Sequence, residues 1–205
     1  MPEALATVVG MALFGLFAAR PLPLFFIALA ALLGVALLIA RSAYKEHSLG
    51  KVCGWTPVPH RIGRWCVAGF LGGLLFALYY RWNYCLPLIP VSLTYVVIPA
   101  ALIGAAEETV FRGYLQSRIR MGGLLLAPLL AASGHTLYKC ALFLLPAEAS
   151  TVNLAVLAAV TFAAGWLIGL IRQQAGSVLP AVIAHALFDI LAYGDRISMP
   201  WWVWR

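Results

Sequence analysis

Seven stretches of the chain are apolar with almost no charge: Leu5–Ala19, Leu22–Ala40, Trp65–Tyr80, Trp82–Ala106, Met121–Leu145, Thr151–Ile171 and Val178–Tyr193. None alternates with the period of two that a membrane barrel needs, so the pattern predicts helices. The expected architecture is an all-α integral membrane bundle of about seven transmembrane helices. Pro87, Pro90 and Pro99 interrupt the fourth stretch, and an eighth helix is expected if Tyr84–Val97 folds separately.

Composition explains why the pattern is so continuous. Of 205 residues, 63% are hydrophobic and 10% charged, and mean hydropathy is +0.94. A soluble domain is nearer half apolar and a quarter charged. The whole of 1–205 therefore reads as a single transmembrane domain with no room for a second. The net charge of +7 fits cationic loops against anionic lipid, and no nucleic-acid partner is expected.

The polar loop Arg41–Arg64 carries Arg41, Lys45, Lys51, Arg61 and Arg64 against a single Glu46, so the positive-inside rule makes it cytoplasmic. Counting spans from there puts Met1, Arg112, Arg118, Arg120 and Arg172 on or near the inside and Arg205 outside. The tail Met199–Arg205, with Trp201, Trp202 and Trp204, reads as an interfacial anchor. No basic residue precedes the first apolar run, which argues against a cleaved signal peptide. Cys53, Cys66, Cys85 and Cys140 have no CxxC or metal-ligand spacing and read as packing residues. Gly69-x-x-x-Gly73 and Gly165-x-x-x-Gly169 allow helices to approach closely. Packing within one bundle is favoured over a homodimer interface, which stays open.

Ionisable groups inside a membrane are costly and usually functional. Here they form three groups. In Glu107-Glu108-Thr109-Val110-Phe111-Arg112, Glu108 and Arg112 are spaced i,i+4 and can pair on one helix face. Glu107 points about 100° away and is expected to be free in a poorly solvated place, as a general base would be. Ala100, Gly104, Ala105 and Ala106 would let another helix pack tightly beside it. The second group is His135 in Ser133-Gly134-His135-Thr136, on a run that Pro128 should kink. Lys139 lies one turn further on, either snorkelling outward, the preferred reading, or binding a substrate carboxylate. The third is His185-Ala186-Leu187-Phe188-Asp189, again i,i+4, where Asp189 could hold the histidine. All three groups fall at similar depth on three spans, so they predict a polar cavity within the bilayer.

These groups carry a resemblance. Glu107-Glu108-x-x-x-Arg112 followed by Gly113 resembles the EExxxR signature of the CPBP family (CAAX-protease and bacteriocin-processing, or ABI, membrane peptidases), which includes the type II CAAX prenyl endopeptidases. His135 and His185-x-x-x-Asp189 are similar to its second and third motifs, in order. The resemblance covers about residues 98–193, the expected catalytic core. It implies a glutamate-type intramembrane endopeptidase in which Glu107 with His135 activates a water. His185 then donates to the oxyanion, Asp189 orients His185, and Glu108 and Arg112 hold Glu107. The family usually has an aromatic residue four before the second-motif histidine. Here that position is Ala131, which implies a differently shaped substrate groove.

No cofactor is expected. The alternative is zinc held by the two histidines and a carboxylate, as in a metalloprotease. A small transporter or a non-catalytic scaffold would also use such residues, although the chain has no repeated halves. Implied partners are the lipid bilayer and a membrane-anchored protein or peptide: a CAAX-like terminus, a leader peptide or a C-terminal sorting segment. The small size without extensions suggests a multi-pass protein of a bacterial or archaeal cell membrane.

Overall fold

In a computed structural model, the structure describes residues 2–55, 62–119, 123–144 and 152–195. The expected aromatic anchor Met199–Arg205, together with Arg61 and Arg120 from the charge count, lies outside them.

The described residues are helical, with no strand. The helices are α1 (Pro2–Phe17), α2 (Leu24–Glu46), α3 (Leu49–Val52), α4 (Ile62–Asn83), α5 (Val97–Glu108), α6 (Gln116–Arg118), α7 (Gly123–Leu144), α8 (Leu154–Ala175) and α9 (Leu179–Tyr193). A π-helical segment, Thr109–Leu115, joins α5 to α6. Three helices, α2, α4 and α8, are long and apolar enough to cross a membrane, and α1 and α9 are shorter apolar helices. Leu33 and Leu37 on α2 and Leu71 and Leu75 on α4 are exposed. Leucines turned outward in this number suit hydrocarbon rather than water as the surrounding solvent. The chain is a membrane protein.

Local chemistry sets several boundaries. Asn153 accepts from the backbone N–H of Ala155 and Val156 at 3.0 and 3.2 Å to cap α8, and Gly176 ends that helix at φ 67°. A glycine takes that left-handed conformation without a Cβ clash. Pro180 falls in the first turn of α9, where its missing N–H costs nothing. Helix α7 continues through Pro128.

The fourth apolar run departs from expectation. Helix begins only at Val97, and Tyr84–Val96 forms neither the start of a long span nor a separate eighth helix. Pro87 and Pro90 remove backbone donors there. The segment is instead held by tertiary bonds, with the Thr94 N–H donating to Gly194 O at 2.8 Å and Arg81 donating to Pro87 O.

Helix α9 is central, packed against α4, α5 and α8, while α1 lies between α2 and α7, and α7 packs on α8. Small residues permit the closest approaches. A Cβ on Gly69 or Gly73 would strike the backbone of Pro180 or Ala184 on α9, so this glycine pair serves packing within the chain. Gly165 and Gly169 likewise face Arg112 and Pro128. At one end of the bundle Arg118 pairs with Glu46 at 2.7 Å and approaches Glu3 at 3.9 Å. At the other, Arg81 pairs with Asp195.

Candidate active site

Glu107, Glu108, Arg112, His135, His185 and Asp189, read from three separate motifs, meet in the middle of the bundle. Helix α5 and the π segment supply the first three, α7 supplies His135, and α9 supplies the last two. Glu107, Glu108, Arg112, His135 and Asp189 are all buried, Glu108 and Arg112 completely. The π segment accounts for part of this. Its wider turn buries every residue from Phe111 to Gln116, and π segments recur where a helix must present side chains to a site. Nothing in the sequence signals it.

The two adjacent glutamates diverge. Glu107 turns to α7, where its Oε2 lies 3.1 Å from His135 Nε2, and its Oε1 accepts from the Tyr138 hydroxyl at 3.0 Å and the Lys139 ammonium at 2.8 Å. Glu108 turns to α9, with its Oε1 2.8 Å from His185 Nδ1 and 3.1 Å from Arg112 Nη1. Arg112 Nη1 also lies 2.7 Å from His135 Nδ1. A guanidinium only donates, so Nδ1 must accept, and Nε2–H must then donate to Glu107. One hydrogen-bonded chain therefore runs from Lys139 through Glu107, His135, Arg112 and Glu108 to His185.

Three expectations change. Glu107 is not free, because its carboxylate receives an imidazole, a phenol and an ammonium. Lys139 does not snorkel outward: its stem follows the Tyr138 ring, with the ammonium 5.5 Å from the ring centroid, and its charge is spent on Glu107. Asp189 does not hydrogen-bond His185. Its Oδ2 is 3.8 Å from Nε2, beyond hydrogen-bond reach, and Glu108 holds the ring from the other nitrogen. The i,i+4 spacing brought His185 and Asp189 to one face but could not foresee a stronger partner from α5.

Phe111 covers His135 with ring centroids 4.6 Å apart, and His135 and His185 are 5.9 Å apart by centroid. His185 Nε2 also lies 3.8 Å from Glu107 Oε2, so both histidines face one carboxylate oxygen. Gly104 makes room for this. A Cβ there would sit 2.5 Å from Asp189 Oδ2 and 3.1 Å from His185 Cδ2, which is the close helix approach expected of the small residues before Glu107. Ala131, the departure in the second motif, is fully buried within the apolar core around α1 and α7.

Tyr138 is a site residue that the sequence reading passed over, and Lys139 is one that it turned outward. Their signal was present: both follow His135 by three and four residues, and so share its helix face. Among the described residues, no three His, Cys, Asp or Glu side chains are grouped to hold a metal ion. Glu108 Oε2 and Arg112 Nε and Nη2 are buried there without a hydrogen-bond partner.

Comparison with known proteins gives one match. The profile of the Rce1-like type II CAAX prenyl endopeptidases matches residues 89–191, which include all six motif residues. Neither the curated proteins nor the solved structures gave a match. That match, on a helical membrane protein, gives the class, a membrane protease. The chain belongs to the Rce1-like family of type II CAAX prenyl endopeptidases.

Proposed function

We propose that the chain is a multi-pass, glutamate-type intramembrane endopeptidase of a bacterial or archaeal cell membrane, with Glu107 as general base and no metal ion. Glu107 takes a proton from a water molecule as the water oxygen attacks the scissile carbonyl carbon. His135, fixed by Arg112, donates through Nε2–H and aims the carboxylate. The negative charge that develops on the carbonyl oxygen is met by Nε2–H of His185 in its imidazolium form, whose Nδ1–H rests on Glu108. The C–N bond then breaks, Glu107 returns its proton to the departing amine, and one water is consumed per bond cleaved. Asp189 lies beside His185 without a direct bond.

The observation that carries this reading is that His135 Nε2 and His185 Nε2 approach the same Glu107 oxygen, at 3.1 and 3.8 Å, one tied to Arg112 and the other to Glu108. A carboxylate flanked by two differently held imidazoles suits a base with an oxyanion donor beside it. The family points to a membrane-anchored protein or peptide as substrate, whether a CAAX-like terminus, a leader peptide or a C-terminal sorting segment.

Glu107→Gln keeps the shape and removes the base. It should lower cleavage by at least the roughly 10²–10⁴-fold that general-base catalysis supplies, while the protein still inserts and folds, with a lower melt because the Lys139 ammonium loses its carboxylate. New protein termini in membranes carrying the active enzyme, absent with Glu107→Gln, would identify substrates. Undiminished cleavage by the Gln variant would refute the assignment.

A further inference from the structure

Glu107 is occupied in a way that a working base cannot be. Both of its oxygens lie 2.8 Å from the Lys139 ammonium, and Tyr138 and His135 take further lone pairs. A water molecule needs one of these acceptor positions before it can pass on a proton. Tyr138 is fully buried, and His135 is anchored by Arg112. Lys139 is different. It carries four flexible methylenes, and its side chain keeps 24% of its surface exposed, against 2% for Glu107. Of the three donors on Glu107, it is the one free to leave.

Where the ammonium goes is set by charge. Arg112, the neighbouring cation, is fully buried, with Nη1 shared between Glu108 and His135 and its other nitrogens sealed from solvent. An anionic group arriving with a substrate can therefore reach Lys139 and not Arg112. A bare ammonium moved into an apolar surround would be costly, so the lysine leaves Glu107 only when another anion receives it.

On the general-base reading, we infer that Lys139 is a specificity-determining residue: it occupies Glu107 in the resting enzyme and transfers to a carboxylate of the bound substrate, opening Glu107 to water. Recognition and activation are then one event. A peptide that offers no carboxylate at this position leaves the base blocked, which protects other membrane proteins passing the site. The carboxylate can come from the substrate's C-terminus or from an acidic side chain near the scissile bond.

The test uses the full-length enzyme in lipid nanodiscs and three lipidated, internally quenched peptides of one sequence. The first ends in a free carboxylate, the second in a carboxamide, and the third in a carboxamide with an aspartate near its end. Binding and cleavage are followed separately. The wild type should bind and cleave the free acid better than the plain amide by about tenfold or more, the worth of one charge-assisted hydrogen bond. Lys139→Met should treat the two alike, and Lys139→Arg should retain a preference. A gain for the aspartate amide over the plain amide would name the side chain as the source of the carboxylate. An acid-to-amide ratio of one in the wild type overturns the proposal whether or not cleavage occurs, and decides the matter even if Lys139→Met fails to accumulate. A ratio equal in the wild type and Lys139→Met overturns it too. Cleavage by Glu107→Gln would locate the fault in the general-base reading instead.

Discussion

Among the described residues two arginines, Arg81 and Arg112, are completely buried, and they are used in opposite ways. Arg81, at the end of α4, spends its guanidinium on a fork with Asp195, at 2.6 and 3.2 Å, and on the carbonyls of Leu191, at 2.9 Å, and Pro87. It ties the 84–96 segment to the end of α9, with a carboxylate or carbonyl for each nitrogen. Arg112, in the π segment, places one nitrogen on both Glu108 and His135 and leaves two others without partners among the described residues. A fully satisfied buried charge is a staple. An incompletely satisfied one marks a place where structure has been subordinated to chemistry.

The sharpest way to break this contrast is through the histidines attached to the second arginine's network. His135→Ala and His185→Ala should each lower cleavage by roughly 10²-fold or more, and the double variant should be little worse, because groups acting as one unit are not additive. Losses that multiply would mean that the two rings serve different events. Next in size come the arginines themselves. Arg112→Ala strips Glu108 of its guanidinium and leaves it to His185; it should cost about 3–5 kcal/mol of stability together with activity, and Glu108→Gln in the same chain should recover part of the stability but not cleavage. Arg81→Ala should destabilise by a similar amount, read as a lower melting temperature, while each folded molecule cleaves as before. A stable, inactive Arg81→Ala would erase the distinction. Asp195→Asn should cost less, about 1–3 kcal/mol, since the amide oxygen can still accept from the guanidinium and the Leu191 and Pro87 carbonyls remain. The smallest expected effect is none: prolonged treatment with strong chelators should leave activity intact. Inactivation reversed by stoichiometric zinc would make His135, His185 and a carboxylate ligands instead.

The membrane character, the glutamate pair, the two histidine groups and the small residues before Glu107 that admit a neighbouring helix were legible in the sequence, because each follows from composition, periodicity or i,i+4 spacing on one helix. What could not be read was every relation between helices. Spacing placed Asp189 beside His185, yet Glu108, 77 positions away in sequence, holds that ring. Lys139 near a helix end has the composition of a snorkelling residue, and only the fold brings Glu107 close enough to capture it. The π segment has no compositional mark, and the prolines before Val97 interrupted a run of residues that hydropathy alone would have continued. Nor did the sequence pair Arg81, since Asp195 lies 114 positions further on, past the end of α9.

Helix α9 packs against α4, α5 and α8 and carries His185. A ribosome delivers the chain from the amino end, so Glu107 and His135 enter the membrane well before α9 is made. Until α9 arrives, Glu108 lacks the imidazole that holds it and the carbonyl-facing glycines of α4 have nothing to pack against. The order of synthesis thus acts as a timer: hydrolytic competence is acquired late, after the surrounding bundle has been threaded into the lipid.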